Sequence, residues 1–572
     1  MLARLLILIS SLIPVFGQSP CDNTPAYSPC EFVFELSSTE TAAHPDPYHD
    51  VELQAEIRSP HFRTFLVPAF WDGGHKMILR FVPIEGGPWT YKLTSNLASV
   101  DGKQGTFTAT DSESPGYVHP ANVHHWWTDN KKAHLWMGTI ADRLGFMSAD
   151  DFSKLLATIA AEKFNHVRTS ILGDPGDRDR VMKGKEPDTA YFDELDHRVM
   201  ELQKHGVTTD LVLAASPNHL RSLFPDWQSR ERFVRYLIGR FAPLNITWQG
   251  VMEFEDDRDG RALLKELGLA LKKDDPYNHP RSSNAKVTSS PLLRDGWMDF
   301  VITNSMDDQL GSIEHQLYTV PFVAITTPEH LWNTTMNGQY PVIRGDAKGL
   351  AKTWFDFMAD TRHWELEPFF DVDNARTVAL EGIEYISYIT GSVPVEVEVE
   401  KHGYDVSWFN PLNGESMELK KYKGEHYTGE IPDKSHPWIL MIAREGRKES
   451  MLRSYKFDSR PVPVQEVETN PQKLPYDLTE PSTDPLIVSL PTPYSVKRKR
   501  ETRATRTMMY LWTGEVAADG QGFRVLGTGA KGTLSIPPSI ATNYPAVLSI
   551  RVTALNANGK AYSMDKVYQL KK

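Results

Sequence analysis

Trp248 to Asp257 reads WQGVMEFEDD, an apolar β-like run that delivers two carboxylates, Glu253 and Glu255, to its carboxyl end. Strand side chains alternate between faces, so an extended chain here puts Glu253 and Glu255 on one side and Phe254 on the other. In a parallel β/α barrel the carboxyl ends of strands line the active site, which makes this pair a candidate for proton-transfer chemistry. Acids after a strand also serve as solvated loop or helix-cap residues, so the surrounding chain decides between the two.

From about residue 119 to 380, β-type segments alternate with helical ones. Ser148 and Asp151 make a capping pair ahead of Phe152, Leu155, Leu156, Ile159 and Ala160, which share one helical face. The strand FNHVRTS follows at Phe164. A second helix carries Phe192, Leu195, Val199 and Leu202, stops at Gly206 and feeds the strand VTTDLVLA. A helix around Glu231 to Arg240, the strand ITWQGVME, a helix around Gly260 to Lys273, and strand candidates AKVTSS, MDFVITNS and PFVAIT continue the series. Such repeats predict a (β/α)8 TIM-type barrel over residues 118–380. A doubly wound sheet is the alternative, but no glycine-rich phosphate loop follows any strand.

The flanks read as β. Residues 18–117 break into EFVFEL, DVELQAEI, KMILRFVPI, WTYKLTS and GTFTAT, punctuated by Gly, Pro and Asp, the pattern of an all-β sandwich. Residues 381–455 (YISYITG, VEVEVEKHG, YDVSWFNP, GEHYTGEI, WILMIAR) predict a second, small β-sandwich. Residues 456–500 are rich in proline and read as an extended linker ending in the basic cluster KRKR at Lys497 to Arg500. Residues 501–572 predict a C-terminal Ig-like β domain.

With 62 Lys and Arg against 74 Asp and Glu, the net charge of −12 disfavours nucleic acid or an anionic membrane as partner. Residues 1–17 have one charge at Arg4 and an apolar run from Leu5 to Phe16, the layout of a cleavable signal peptide. No later segment offers the ~18 apolar residues of a membrane span. The expectation is a secreted protein, extracellular or periplasmic. There Cys21 and Cys30 can close a small disulfide loop. Two thiols alone make no four-ligand zinc site, and no His/Cys/Asp grouping has ligand spacing, so no metal and no cofactor are expected.

FWDGG at Phe70, LRFVP at Leu79, GGPWTY at Gly86 and GKQGTF at Gly102 resemble the β-sandwich that precedes the catalytic domain in a group of bacterial polysaccharide-degrading enzymes, with Trp71 and Trp89 expected to pack it. HLWMGTIAD at His134, KFNHVRTS at Lys163, YFDELDHRVMELQKHG at Tyr191, ITWQGVMEFE at Ile246, DPYNHPRSS at Asp275 and DGWMDFVIT at Asp295 resemble the barrel of apiosidase-like glycoside hydrolases. SWFNPLNGE and PWILMIA resemble the small β-sandwich, often named for collagen binding, that trails such barrels. The resemblance implies a glycosidase acting on a plant or microbial poly- or oligosaccharide. It places Glu253 at the proton-donor position after the fourth strand, opposed by a carboxylate after the seventh. There PFVAITTPEH has Thr326 and Thr327 and reaches an acid only at Glu329. Glu255 is either a neighbour that raises the donor's pKa or a structural cap. Thr139 stands where the first strand usually carries an acid, and Met252 where Asn is common. The alternative is therefore a barrel that has lost hydrolysis and serves as a carbohydrate-binding or scaffold protein.

Other strand-end candidates for sugar contacts are Arg168, Asn218, His219, Asn304 and Asp307, with Asp307 or Asp308 as a reserve nucleophile. Trp127, within HHWW, and the pair His363 and Trp364 are candidate aromatic platforms. The same residue types also serve as core filling or buried ion pairs.

Overall fold

The computed structural model describes residues 19–446, 474–499, 508–556 and 559–572, so the expected signal peptide lies outside the described residues. The chain divides into two units, Met1–Ser114 and Pro115–Lys572.

The first unit contains β1 (Cys30–Glu35), α1 (Ser38–Ala43), α2 (Pro47–Asp50), β2 (Leu53–Arg58), β3 (Thr64–Pro68), β4 (Phe70–Trp71), β5 (Lys76–Phe81), β6 (Gly87–Ser95) and β7 (Gln104–Ala109). They form antiparallel sheets of order β1-β5-β4 and β3-β2-β6-β7. Alternation selects the buried face: Leu53, Ala55 and Ile57 of β2 turn inward while Gln54 and Arg58 turn out. Trp89 is fully buried, stacked on Phe107 at 6.0 Å. Trp71 differs from the expectation, staying partly exposed with its indole N–H donating to the Gly74 carbonyl. Cys21 and Cys30 are disulfide-bonded.

The second unit opens with the hairpin β8 (Val118–Ala121) and β9 (His125–Thr128). The barrel follows as β10 (Gly138–Ile140), α3 (Ala149–Glu162), β11 (His166–Ser170), α4 (Arg178–Val181), the small hairpin β12 (Met182–Lys183) and β13 (Glu186–Pro187), α5 (Thr189–Lys204), β14 (Thr208–Val212), α6 (Pro217–Leu223), α7 (Trp227–Phe241), β15 (Ile246–Gln249), α8 (Gly260–Asp274), β16 (Arg281–Ser282), β17 (Val301–Thr303), α9 (Asp308–Leu317), β18 (Phe322–Thr326), α10 (Leu331–Met336), β19 (Tyr340–Ile343) and α11 (Leu350–Ala359). Eight parallel strands run in the order β16-β15-β14-β11-β10-β19-β18-β17. The remaining gap between β16 and β17 is bridged by Asp299 N–H donating to the Arg281 carbonyl at 2.8 Å, which leaves a nearly closed barrel. β11, β14, β15 and β18 are buried along their whole length, as strands covered by helices must be. The Ser148 hydroxyl accepts from the Asp151 N–H at 3.1 Å and starts α3 where the sequence places it.

AKVTSS, expected as the fifth strand, is not one. β16 precedes it, and Ala285–Ser290 folds back so that Thr288 bridges Thr303 of β17 in antiparallel sense. The segment is held by contacts remote in the chain: the Lys286 N–H and ammonium reach the acids of the loop after β15, out of parallel register. The amino-terminal end of the barrel is sealed by rings, with Trp136 stacked on His166 at 3.5 Å and Trp126 beside it at 4.7 Å.

The trailing β module begins at Glu367 rather than 381, with β20 (Glu367–Phe369), β21 (Val372–Asp373), β22 (Arg376–Leu380), β23 (Glu384–Ile389), β24 (Val395–Phe409), β25 (Ser416–Glu418), β26 (Tyr422–Gly429) and β27 (Trp438–Arg444) in one eight-stranded sheet. A register shift between Glu398 and His402 bends β24. Val397, Tyr404, Trp408, Leu440 and Ile442 form part of its core.

The last module corrects the expected 456–500 linker in part. Residues 456–473 and Arg500 lie outside the described residues, but β28 (Tyr476–Glu480), β29 (Leu486–Ile487) and β30 (Pro491–Arg498) are strands of the C-terminal domain. They join β31 (Met509–Glu515), β32 (Arg524–Thr528), β33 (Lys531–Ser535), β34 (Ala546–Leu555) and β35 (Ala561–Lys571) in sheets of order β28-β30-β33 and β29-β35-β34-β31-β32. Pro491 and Pro493 mimic a linker, yet they fall where β30 pairs with β33 alone, an edge that tolerates the missing N–H. Leu511, Leu555 and Ala561 of this module pack on Leu310, Ile313 and Leu317 of α9.

Candidate active site

β15 ends at Gln249, so Glu253 and Glu255 do not alternate along a strand as expected. Glu253 instead adopts a left-handed backbone, φ 51° and ψ 36°, and caps the short 3-10 turn Phe254–Asp256. A non-glycine residue in that region is held there by its surroundings. Here the hold is a Met252 N–H donated to the Ala214 carbonyl at 3.1 Å and an Asp256 N–H donated to Glu253 at 3.2 Å. The result is an exposed Glu253 side chain directly past a barrel strand, with Phe254 buried behind it.

Glu255 turns the other way. Its Oε1 accepts the Lys286 N–H at 2.9 Å, and burial pushes its carboxyl up despite the opposing charges of Arg524 and Lys286. Lys286 Nζ pairs with Asp256 at 2.6 Å, and Arg221 holds Asp257 at 2.5 Å. The guanidinium of Arg524, from the last module, lies 5.8 Å from the Phe254 ring centre.

Arg168, two residues along β11 from His166, shares its inward face. It is buried, donates from Nε to Gln249 Oε1 at 2.9 Å, and extends its other nitrogens toward Asp142 at 3.5 Å and the Met252 sulfur at 3.0 Å. Burial lowers its pKa, while Asp142 and Asp210 oppose the shift. One layer below, the His166 ring and the Thr247 hydroxyl meet Asp210 Oδ1 at 3.0 Å and 2.8 Å. Arg168 therefore ties the ends of β10, β11 and β15 together next to Glu253.

The other expected residues divide by barrel end. Glu329 follows β18 and is exposed, its carboxyl lowered by hydrogen bonds from its own backbone and the Thr327 hydroxyl; no hydrogen bond or ion pair among the described residues joins it to Glu253. Asn218 is exposed at the start of α6, and His219 behind it is buried, which holds its imidazole below the usual range. Asn304 lies just past β17, half-buried. Asp307 is a helix cap, accepting from the Gln309 and Leu310 N–H groups and from the Thr528 hydroxyl of the last module. Asp308 is held by Arg376 at 2.9 Å, His330 at 3.0 Å and Asn333 at 2.8 Å, so it does not stand as a free nucleophile.

Trp127, His363 and Trp364 are corrections. Trp127 sits on the β8–β9 hairpin, and the Tyr340 hydroxyl at the start of β19 faces the His363 carbonyl, which places these residues at the amino-terminal end of the barrel, opposite Glu253. Trp364 is buried with Asn122 bonded to its carbonyl, so it fills the base. Three residues that the sequence reading passed over belong to the mouth: Asp142, Gln249 and the buried Asn284, whose Oδ1 has no hydrogen-bond partner among the described residues. Asp142 had a signal, standing three positions past Thr139.

Residues 23–96 match the sequence model described as a domain of unknown function (DUF5060), and residues 122–333 match the model described as the apiosidase-like catalytic domain. Among solved structures, one from Bacteroides vulgatus ATCC 8482, provisionally assigned as a glycoside hydrolase, is 17% identical with a TM-score of 0.62 over 74% of this chain and 100% of its own. A glycoside hydrolase family 5 structure from the same organism is 12% identical, with a TM-score of 0.50 over 58% of this chain and 95% of its own. No curated protein matches. Residues 122–333 thus resemble the apiosidase-like catalytic domain, set in a glycoside-hydrolase-like barrel with β-rich flanks.

Proposed function

We propose that the protein is a secreted glycoside hydrolase acting on a plant or microbial polysaccharide, with Glu253 as the acid/base. The observation that carries this reading is the exposed Glu253 carboxylate, fixed in left-handed backbone just past β15 and beside the buried Arg168–Gln249 pair. In this role Glu253 protonates the departing glycosidic oxygen, while a second carboxylate attacks the sugar or activates water. Glu329, exposed after β18, is the partner; Asp142, paired with Arg168, binds a sugar hydroxyl. The apolar leader at residues 1–17 and the Cys21–Cys30 disulfide support export, and the negative net charge argues against nucleic acid.

A second reading, a carbohydrate-binding scaffold without hydrolysis, is favoured by one observation. The nearby acids Asp256, Asp257, Asp307 and Asp308 are all engaged in structural contacts. Reducing ends released from pectic, arabinan or galactan oligosaccharides separate the two. Turnover should fall by about 10²–10⁴ in Glu253→Gln and in Glu329→Gln. Equal turnover in Glu253→Gln removes that residue from catalysis, and sugar binding without cleavage across the panel establishes the scaffold.

A further inference from the structure

At the opposite end of the barrel, three imidazoles converge on one carboxylate. His124 Nδ1, His125 Nε2 and His315 Nε2 lie 3.1, 3.3 and 3.2 Å from the oxygens of Glu367. The residues come from the β8–β9 hairpin, the last turn of α9 and the start of β20, and His124 and Glu367 are 243 positions apart in the chain. The hairpin turn is forced into place: Asn122 and Val123 both have left-handed backbone, φ 46° and 68°, and a β-branched valine adopts this only under constraint.

We propose that His124, His315 and Glu367 form a binding site for a divalent transition-metal ion of the zinc type, with His125 beside the other oxygen of Glu367. Hydrogen-bond accounting carries the inference. His124 Nε2 faces the Tyr318 carbonyl at 3.0 Å, an acceptor only, so a neutral ring bears its proton there and turns the Nδ1 lone pair to the carboxylate. His125 Nδ1 is 2.8 Å from the Tyr340 hydroxyl, whose own hydrogen points to the His363 carbonyl at 3.5 Å; His125 therefore donates there, and its Nε2 is also a bare lone pair. His315 is wholly buried, and neither of its ring nitrogens has a hydrogen-bond partner among the described residues. Lone pairs set against a carboxylate repel unless a cation lies between them.

The dimensions suit such an ion. A tetrahedral site with bonds of about 2.1 Å has ligand-to-ligand edges of roughly 3.4 Å, close to the nitrogen–oxygen separations here. The donor atoms of His124, His315 and Glu367 all lie within 4.8 Å of one another. The Tyr318 carbonyl supplies the outer contact that orients a metal-bound histidine. Glu367 keeps 41% of its side chain exposed, which gives the ion a way in. Two nitrogens and one carboxylate oxygen make three corners of a tetrahedron, water completes the fourth, and the ion ties the hairpin, α9 and β20 together.

The test uses the full-length protein, stripped with chelator and then titrated with zinc chloride, with metal counted by mass spectrometry and unfolding followed by heat. The expected result is one zinc per chain, a melting temperature several degrees higher with zinc, and loss of that equivalent in His315→Gln and Glu367→Gln variants whose circular dichroism matches the parent. Cobalt in the unmodified protein should give the intense visible absorption of a four-coordinate ion, a readout independent of whether the variants fold. Well under one equivalent bound, a pale octahedral cobalt spectrum, or full retention of zinc in folded variants would each overturn the site.

Discussion

Arg168 on β11 donates from Nε to Oε1 of Gln249 on β15 across 2.9 Å, both side chains buried beneath the barrel mouth. The partner is neutral, and the acid within reach, Asp142, is exposed at 3.5 Å, so the guanidinium is a desolvated charge with weak compensation. Such charges are often replaceable by apolar groups at no loss of stability. Arg168→Met with Gln249→Leu should therefore melt no lower than the parent while turnover falls about 100-fold or more. A clear loss of melting temperature would mark the pair as structural.

The backbone at Glu253 makes a second stability prediction. Glycine enters the left-handed region freely, whereas a β-branched residue there is strained by about 1–2 kcal/mol. Glu253→Gly should match or exceed the parent in chemical denaturation and Glu253→Val should fall below it, with turnover lost in both.

Glu314 of α9 is fully buried, its oxygens accepting from Thr288 and Ser290, and burial raises its carboxyl from 4.5 to about 7. Between those values the unfolded chain releases a proton that the folded one keeps, so stability declines as pH rises from about 4.5 to about 7 and levels off above. Glu314→Gln should remove that slope and gain up to roughly 3 kcal/mol over the parent at pH 8, at 1.36 kcal/mol per unit. Parallel urea curves at pH 4.5 and pH 8 decide it.

The Cys21–Cys30 link closes a short loop, separation 9, in the first unit. By the loop-entropy model it contributes about 2–3 kcal/mol. Reduction, or Cys21→Ala with Cys30→Ala, should lower the unfolding transition of this unit by that amount and leave hydrolysis unchanged.

Burial raises the carboxyl of Glu255, and the charge of Arg524 opposes that rise across the boundary with the last module. Arg524→Gln removes that charge, so any limb of the pH–rate profile that belongs to Glu255 should move to higher pH. An unmoved profile assigns Glu255 to the loop's structure alone.

The sequence made the barrel's strands and helices legible where periodicity was long, as in α3, α5, α7 and α8, but it drew the fourth strand too long, since β15 stops at Gln249 and Glu253 lies in the loop beyond it. It misplaced Trp127, His363 and Trp364, since an aromatic or histidine carries no mark of which end of a barrel it closes. AKVTSS has β composition, yet Lys286 draws it to acids 30 and 31 positions away, a contact no local window contains. The prolines of β30 concealed a strand because pairing on one side alone removes the usual penalty. The histidine cluster was invisible for the reason that its members are remote in the chain.

The docking of Leu511, Leu555 and Ala561 onto α9 means that the terminal module is not a detachable tag. A chain cut short before it would show Leu310, Ile313 and Leu317 to water and take Arg524 away from the Glu255 loop. Such a truncation would leave an apolar stripe bare and loosen the loop around Glu255 in the same stroke, so the appendage and the face it covers form one folding unit.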